Sequence, residues 1–325
     1  MIITKAPLRM SFVGGGSDMQ SYYTEKTGSV ISTSINKYVY VAVKPKFGNG
    51  FRISYSKTEI CDTIGQIEHP IVKECLNFCG IDDGLEIVSM ADIPSSGSGL
   101  GSSSSFTVAL LKALYAYKNV YKTNSIIAEE ACEIEINKCK EPIGKQDQYA
   151  SAVGGLNKFV FNTDHSVHSE KVFLTKDKLK VIENHVLVLF TGTTRSASKI
   201  LKDQSSGVQK NQDKQDVLSR MVQLVDPFID VMYQADVQQI GKLLHLNWEL
   251  KKQLSNAISD NWIDKAYQCA LQKGALGGKI LGAGAGGFFL FIASPDKHNS
   301  IASALGMKRI PMQFTTNGCE IIFAE

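Results

Sequence analysis

Residues 94–105 read PSSGSGLGSSSS, and the strongest prediction about the fold comes from this stretch. Residues 85–91 (LEIVSMA) before it are apolar and β-branched as in a strand, and residues 106–115 (FTVALLKALY) after it are typical of a helix. A loop in that position meets the first turn of a helix, where unpaired N–H groups and the positive dipole end attract anions. Glycines let the backbone approach a phosphate closely, and serine hydroxyls add hydrogen-bond donors and ligands for Mg²⁺. The stretch therefore predicts a phosphate-binding loop.

Three other interpretations of this stretch are weaker. A flexible Gly/Ser linker would not lie between a strand and a helix that both have the pattern of buried elements. A Walker loop requires a lysine after the glycines, and none stands at that position. A dinucleotide-binding loop requires a third glycine, but Gly97 and Gly99 are followed by Ser102 at that position.

The composition is that of an ordinary globular chain with room for two packed domains, with 325 residues, 43% hydrophobic and 21% charged. A net charge of +3, from 35 basic and 32 acidic residues, favours neither nucleic acid nor a membrane surface as a partner. The longest apolar run, residues 286–293, is too short to span a bilayer. The N-terminus has no signal-peptide pattern, and the seven cysteines include no C-x-x-C pair. These features predict a cytoplasmic protein without disulfides or structural zinc.

Hydrophobic periodicity and capping signals predict the remaining elements. Strands are expected at residues 2–13, 29–43, 51–55, 156–161, 186–190, 288–293 and 319–323. Helices are expected at residues 19–26, from 70, at 125–140, from about 196, over 212–258 as two helices broken near Asp226-Pro227, at 262–273 and at 296–305. Asp147 is expected in a loop. The polar, lysine-rich residues 175–180 favour a boundary between two domains, residues 1–178 and 179–325.

A second glycine-rich segment, GGKILGAGAGG at residues 277–287, contains the dinucleotide pattern G-x-G-x-x-G from Gly282 to Gly287. Its predicted context is helix, loop and then strand, which is the reverse of the order that a dinucleotide-binding unit needs. The chain ends 38 residues after Gly287, which leaves little room for the rest of such a unit. The pattern therefore does not indicate an NAD-dependent enzyme.

Three motifs of this chain resemble those of the GHMP kinases, the small-molecule kinases related to galactokinase and mevalonate kinase. PSSGSGLGSSSS resembles the central motif, APLRMSFVGGGSD at residues 6–18 the first, and residues 277–287 the third. They occur in the family's order and span essentially the whole chain. The resemblance implies a two-domain α+β fold, with a ribosomal S5 domain 2-like N-terminal domain, a ferredoxin-like C-terminal domain and the active site between them.

The resemblance also implies ATP as the phosphate donor, together with Mg²⁺. Glu135 lies on the small-residue face of a predicted helix, 12 residues before Asp147. It is either a charge at the edge of that face or a buried metal ligand, and the galactokinase spacing favours the metal, held by Ser103 and Glu135. The residues expected to bind the nucleotide are Pro94, Ser96, Gly97, Ser98, Gly99, Leu100, Gly101, Ser102, Ser103 and Ser104.

The same resemblance gives catalytic roles to Asp147 and Arg9. The carboxylate of Asp147 would accept the proton of the acceptor hydroxyl, and Arg9 would offset charge on the transferring phosphoryl group. Lys145 is equally consistent with a surface lysine and with a group that neutralises charge at the acceptor.

Acceptor binding is expected from the glycine-rich turn of the first motif. Asp18 alone would be interpreted as a helix N-cap, but in this motif it matches the acidic residue that grips sugar hydroxyls. The triple glycine before it departs from galactokinase, which has bulkier residues there, and indicates a differently shaped sugar pocket. Arg195, near a predicted helix N-terminus, is the expected contact for a distal sugar phosphate. The other residues expected to bind substrate are Gly15, Gly16, Ser17, Lys145 and Gly284.

Four segments resemble the branch of the family that acts on heptose phosphates, namely RISYSKTE (52–59), HPIVKE (69–74), GKQDQYA (144–150) and LLHLNWELKK (243–252). This resemblance implies phosphorylation of the anomeric C1 hydroxyl of a heptose 7-phosphate to the 1,7-bisphosphate, on the way to GDP-heptose for capsule or lipopolysaccharide. Two alternatives stay open, an anomeric kinase for an unphosphorylated sugar such as fucose or galactose, and a non-catalytic sugar sensor. The partner would be a small-molecule sugar phosphate, and the chain a monomer or a homodimer.

Overall fold

Two β-sheets form the framework of the chain in a computed structural model, which describes residues 1–82, 84–93, 97–193 and 197–325. The strands in these ranges are β1 (Ile2–Ser11), β2 (Gly28–Pro45), β3 (Phe51–Ser54), β4 (Thr58–Cys61), β5 (Leu85–Ala91), β6 (Leu156–Phe161), β7 (Val167–Lys171), β8 (Val186–Phe190), β9 (Ala275–Ile280), β10 (Phe288–Ala293), β11 (Lys308–Arg309) and β12 (Glu320–Ala324).

The first sheet has the strand order β12-β1-β2-β5-β3-β4, and β6 and β7 extend it from β2. Its pairs are antiparallel except that β3 runs parallel to β5. The second sheet has the order β11-β8-β10-β9 and is antiparallel throughout. Its chain order, one strand, helices, two strands, a helix and a last strand, is that of a ferredoxin-like domain.

Helices connect and pack against these sheets. The α-helices in the described ranges are α1 (Gln20–Tyr23), α2 (Pro70–Cys79), α3 (Ser102–Tyr117), α4 (Asn124–Cys132), α5 (Gln146–Val153), α6 (Lys176–His185), α7 (Ala197–Lys210), α8 (Gln212–Gln223), α9 (Val225–Gln234), α10 (Val237–Lys252), α11 (Asn261–Gln272) and α12 (His298–Leu305). Short 3-10 segments lie at Ile64–Gln66 and Pro295–Lys297, and a π-helical segment, Glu133–Lys138, continues α4.

Strand β1 and helix α3 bring the first and central motifs together. The register of β1 against β2 shifts between Pro7 and Leu8, which suits a proline because it cannot donate to the ladder. The residues after the shift include Arg9, whose backbone N–H donates to the carbonyl of Leu100 (2.9 Å) in the phosphate loop. The loop then turns through Gly101 (φ +78°) into α3, which packs against β1 and β2. The helix N-terminus therefore lies beside Arg9.

Most predicted elements are present, including the helix at 125–140, which is α-helical to Cys132 and π-helical over Glu133–Lys138. Three predictions are wrong. Asp147 lies in the first turn of α5 and not in a loop. Residues 212–252 form three helices, with a break at Leu224, and Pro227 fits within the first turn of α9, where its missing N–H costs nothing. The predicted glycine loop from residue 277 begins in fact with strand β9.

The predicted division after residue 178 falls within α6, and it stays a prediction. The chain crosses between the sheets more than once. Strand β12 returns from the second sheet to pair with β1 at the edge of the first. Most of the core is one continuous cluster that includes Phe12 of the first half and Phe228 of the second, whose rings stack at 5.4 Å. The two parts are therefore joined by packing as well as by the backbone.

Candidate active site

A cavity of about 580 Å³ lies where loops and helix ends of both sheets meet. It is bounded by the phosphate loop, β1, α5 and the π-helical segment on one side, and by α7, α10 and the β9–β10 loop on the other. The sequence-predicted residues that line it are Arg9, Gly15, Gly16, Asp18, Gly97, Ser98, Gly99, Gly101, Ser102, Ser103, Ser104, Glu135 and Asp147. Folding thus brings together three separate segments of the first 147 positions, within residues 9–18, 97–104 and 135–147.

Arg9 and Asp147 form a two-pronged ion pair in the cavity. The Nε and Nη2 groups of Arg9 donate to the two carboxylate oxygens of Asp147, each at 2.7 Å. The remaining Nη1 donates to the Gly99 carbonyl (2.6 Å), so that the guanidinium is also fixed to the phosphate loop. Gln146 Nε2 donates to Asp147 Oδ1 (3.0 Å). The Arg9 side chain is 5% exposed and that of Asp147 is 27% exposed, so the carboxylate is held rigidly while it faces the cavity.

Asp18 is a buried carboxylate next to this pair, and it does not cap α1, whose N-cap is Met19. Its Oδ1 accepts from the backbone N–H of Gly16 (2.9 Å) and its Oδ2 from that of Gln146 (3.2 Å). Burial raises the pKa of Asp18, and the nearby charge of Asp147 raises it further. The side chain therefore has an acceptor surface in the cavity whose position is fixed by two backbone groups.

Glu135 lies in the π-helical segment, with its side chain fully buried. The Cys139 N–H donates to the Ile134 carbonyl (2.8 Å), a bond across five residues that marks the wider turn. Glu135 Oε1 accepts from the Ser103 hydroxyl (3.0 Å) and Oε2 from Gln148 Nε2 (2.6 Å). Burial raises the pKa of the Glu135 carboxyl to about 7, because no cation of the described chain compensates its charge. A hard cation beside Ser103 would supply that compensation.

The phosphate loop packs backbone against backbone on the β9–β10 loop, which carries the third motif. A Cβ on Gly99 would lie 2.4 Å from the Leu281 carbonyl oxygen, and a Cβ on Gly282 would lie 2.4 Å from the Gly99 Cα. Gly99 (φ +75°) and Gly282 (φ +72°) are both left-handed. These glycines therefore allow the second half of the chain to close directly on the phosphate loop.

Three of the predicted substrate residues have their side chains or backbone engaged elsewhere. The Lys145 ammonium donates to the His165 carbonyl (2.6 Å) and lies 4.9 Å from the centre of the Tyr23 ring. The Ser17 hydroxyl donates to the carbonyls of residues 14 and 29, at 2.8 and 3.0 Å. Gly284 packs against the backbone of Ile258. These three residues are absent from the cavity lining.

The other predicted nucleotide and substrate residues have different outcomes. The side chain of Leu100 is fully buried in the core and does not line the cavity. Its carbonyl serves as the acceptor for the Arg9 backbone. The predictions for Pro94, Ser96 and Arg195 lie outside the described residues.

Gln204 of α7 and Lys251 of α10 are among the cavity residues that were not identified from the sequence. Both side chains are at least nine-tenths buried. The Oε1 atom of Gln204 is buried without a hydrogen-bond partner in the described part of the chain. A signal for Lys251 exists in the sequence, because it follows Leu244 and Trp248 at intervals of four and three on the buried face of α10. A lysine on an apolar helix face indicates either a side chain that extends to solvent or a charge that serves a binding or catalytic site.

Comparison with known proteins identifies the class. The profile described as GHMP kinases N terminal domain matches residues 70–155, and that described as GHMP kinases C terminal matches residues 228–308, together about half of the chain. The chain belongs to the GHMP kinase family. It is an ATP-dependent phosphotransferase with an alcohol acceptor, and its relatives make it a sugar kinase.

The similar proteins agree with this assignment over two thirds or more of the chain. The D-glycero-α-D-manno-heptose 7-phosphate kinase of Campylobacter jejuni is 29% identical over 319 residues, which are 94% of this chain and 93% of that protein. The galactokinase of Pyrococcus furiosus is 24% identical over 248 residues, 68% of each chain. A crystal structure of a D-glycero-D-manno-heptose 1-phosphate kinase from Bacteriodes thetaiotaomicron covers 100% of both chains, with a TM-score of 0.83 and 23% identity. The predicted family and two-domain α+β fold are confirmed.

A search of the helices in the described part of the chain finds none that is both long and apolar enough to cross a membrane.

Proposed function

We propose that this sugar kinase phosphorylates the anomeric C1 hydroxyl of D-glycero-D-manno-heptose 7-phosphate, giving the 1,7-bisphosphate for GDP-heptose and surface polysaccharide. The observation that carries the proposal is the near-full-length similarity to the Campylobacter jejuni heptose 7-phosphate kinase, 29% over 94% of the chain. The four sequence segments that resemble the heptose-phosphate branch add support, since they lie in both halves of the chain.

Asp147 is the residue that receives the proton of the acceptor hydroxyl in this proposal. Its carboxylate faces the cavity, and the two-pronged contact with Arg9 fixes the direction of its free lone pairs. Phosphoryl transfer needs an aligned acceptor oxygen more than a strong base, and a held carboxylate provides that alignment. Arg9, anchored to Gly99, lies between the carboxylate and the phosphate loop and offsets negative charge there.

The phosphate loop and the N-terminus of α3 bind the phosphates of ATP. Left-handed Gly97, Gly99 and Gly101 expose backbone N–H groups, and the first turn of α3 adds its unpaired donors. Ser103 and Glu135 would hold Mg²⁺, which neutralises charge on the β- and γ-phosphates when bound. No group of three or more metal-binding side chains occurs in the described ranges, and few protein ligands are typical of Mg²⁺ that binds with a nucleotide.

The acceptor sugar binds between Asp18 and the wall formed by α7 and α10. Asp18 accepts hydrogen bonds from sugar hydroxyls, and Gly15 leaves room for the ring, since a Cβ there would meet only the Ser11 hydroxyl, at 3.9 Å. Gln204 lines the opposite side, and its buried amide oxygen has no hydrogen-bond partner in the described residues. In the two-domain division at residue 178, the first part supplies the nucleotide site and the second closes the sugar site. We expect this enzyme to act in the cytoplasm, as a monomer or a homodimer.

A coupled ADP-release assay with Mg·ATP tests the proposal against a panel of heptose 7-phosphate, free heptose, mannose, fucose, galactose and mevalonate. The expected result is turnover on heptose 7-phosphate that exceeds every other acceptor, with a ³¹P NMR signal of an anomeric phosphate in the product. Turnover only on an unphosphorylated sugar would overturn the heptose assignment and leave the kinase intact. Binding of ATP and sugar without turnover on any acceptor would support a sensor instead.

A further inference from the structure

We propose that Lys251 is a further catalytic residue, whose ammonium group binds the phosphoryl group during its transfer from ATP to the acceptor. The proposal depends on the kinase activity of the family and not on the identity of the sugar. The proposal places two cations in the site, Lys251 from the second half of the chain and Arg9 from the first half.

Lys251 is buried in the wall of the cavity. It is 5% exposed, lies in the last turn of α10 and is part of the cavity lining. The preceding residues of the same face, Leu244 and Trp248, are completely buried, so the lysine stem continues an apolar face while its ammonium reaches the cavity. The helix therefore fixes the position of the charge and leaves it little freedom to move into solvent.

The phosphate loop and the β9–β10 loop are in contact, and the ammonium of Lys251 and the guanidinium of Arg9 each bind one of these two loops. Lys251 Nζ donates to the carbonyl of Gly282, and Arg9 Nη1 donates to the carbonyl of Gly99. Gly282 and Gly99 touch, because a Cβ on Gly282 would lie only 2.4 Å from the Gly99 Cα. The two cations thus border the point where the phosphate loop meets the acceptor side of the cavity.

The charges around Lys251 favour the binding of an anion. The pKa of the Lys251 ammonium is lowered to about 8, mainly by burial and then by the charge of Arg9. The carboxylates of Asp18 and Asp147 act in the opposite direction. Lys279 is a further buried cation, and the charge of Lys251 helps to lower the pKa of Lys279.

Lys251 has donors to spare. An ammonium has three N–H donors, and one of them reaches Gly282. No carboxylate of the described residues lies within 4.0 Å of Nζ. A neutral donor would be enough for a hydrogen bond that only connects α10 to the β9–β10 loop. A purely structural role therefore gives no reason to bury a charge here. A phosphoryl group would use the free donors and offset the repulsion between the two cations.

Lys251 acts on charge and transfers no proton. During the step the bond from the γ-phosphorus to the β–γ bridging oxygen breaks, and ADP leaves with its electron pair. A bond from the acceptor oxygen to that phosphorus forms, and the hydroxyl proton passes to Asp147. Negative charge on the three equatorial oxygens is met by Arg9 on one side and Lys251 on the other.

The test compares Lys251→Met, which has a similar length and no charge, with Lys252→Met on the same helix. Lys252 pairs with Glu249 and Asp264 and does not line the cavity. We expect Lys251→Met to lose about 10²–10³-fold in kcat with little change in the KM for ATP, as when one transition-state donor is removed. Lys252→Met keeps its kcat. The melting temperature of Lys251→Met should not fall, since an uncompensated buried charge is removed.

Two results would overturn the proposal. One is a kcat of Lys251→Met within threefold of the wild type. The other is a loss confined to the KM of phosphorylated acceptors, since Lys251 would then bind the acceptor's own phosphate. The assay uses whichever acceptor the wild type turns over, so failure of the heptose assignment leaves this test unaffected.

A pH profile keeps the proposal testable if Lys251→Met does not fold. A lysine that must be charged is active below its pKa, so wild-type kcat/KM should fall as the pH rises through about 8. Arginine stays charged there, so Lys251→Arg should move the fall to higher pH. The charges that face this group, Arg9, Asp18, Asp147 and Lys279, are unchanged in that variant. A fall at the same pH in both proteins would reject the proposal.

Discussion

Gly144 lies directly against the carboxylate of Asp18, and a Cβ on residue 144 would fall 2.0 Å from Asp18 Oδ2 and 2.8 Å from the Asp18 carbonyl oxygen. The absence of a side chain at Gly144 thus allows the turn before α5 to close over Asp18. The same turn places the N–H of Gln146 on Asp18 Oδ2 and leads into Asp147. One glycine therefore sets the distance between Asp18, which we propose binds the acceptor, and Asp147, which we propose takes its proton.

The substitution Gly144→Ala should disturb the acceptor side of the cavity. The added methyl must displace the Asp18 carboxylate or the turn, because the contact is far shorter than atoms allow. We expect kcat/KM for the sugar to fall by about 10²-fold, as misplacement by about 1 Å does, while the KM for ATP changes little. Steady-state kinetics with each substrate varied in turn give the comparison.

A control for this variant is Gly65→Ala. A Cβ there would meet only the Thr63 hydroxyl, at an ordinary 3.7 Å. It should leave both KM values and kcat unchanged. Equal loss in the two variants, or a normal kcat/KM in Gly144→Ala, would contradict the role given to this contact.

Asp147→Asn removes the charge that Arg9 holds and keeps the size of the side chain. We expect kcat to fall by about 10²–10⁴-fold, since the amide cannot accept the acceptor proton. ATP affinity, measured by calorimetry, should stay near that of the wild type, because the phosphate loop is unchanged. A kcat like that of the wild type would exclude Asp147 as the catalytic acid-base residue.

Glu135→Gln tests the proposed Mg²⁺ site. The variant loses the buried carboxylate that would face the metal, so the Mg²⁺ concentration for half-maximal activity should rise by about 10–100-fold at fixed ATP. Its melting temperature should not drop, because the charged form of Glu135 is disfavoured by burial in the metal-free protein. The neighbour Glu133, whose side chain is 39% exposed, provides the control Glu133→Gln. An unchanged Mg²⁺ requirement in Glu135→Gln would assign the metal to other ligands.

The sequence predicts the phosphate loop well because its signals are local. Positive φ at Gly99 and Gly101 needs glycine, and a strand before the loop and a helix after it are visible as patterns. Arg9 and Asp147 have no such local signal, and they were predicted from the family motifs that contain them. The two-pronged contact between them joins residues 138 positions apart, and no periodicity in the chain reports it.

Two differences between the predicted site residues and the cavity lining have a physical cause in side-chain direction. Lys145 and Ser17 are neighbours in sequence of Asp147 and Asp18, yet their side chains point to His165 and to backbone carbonyls, because adjacent residues face different ways. Lys251 was missed for the opposite reason. It is distant in sequence from the three GHMP motifs, and the packing of α10 on the second sheet brings it to the cavity.

Gln204→Leu tests whether α7 takes part in acceptor recognition. Gln204 is 1% exposed, and its Oε1 is buried without a hydrogen-bond partner in the described ranges, which costs about 1–3 kcal/mol unless a ligand donates to it. Removing the amide should therefore raise the KM for the sugar about tenfold and leave the KM for ATP unchanged, while the free protein becomes no less stable. With the wild type, a sugar analogue that lacks the hydroxyl bound by Gln204 should show the same tenfold rise in KM. With Gln204→Leu, the analogue and the complete sugar should have the same KM. If Gln204→Leu instead lowers the melting temperature and changes both KM values equally, the amide supports the fold of α7 and does not read the acceptor.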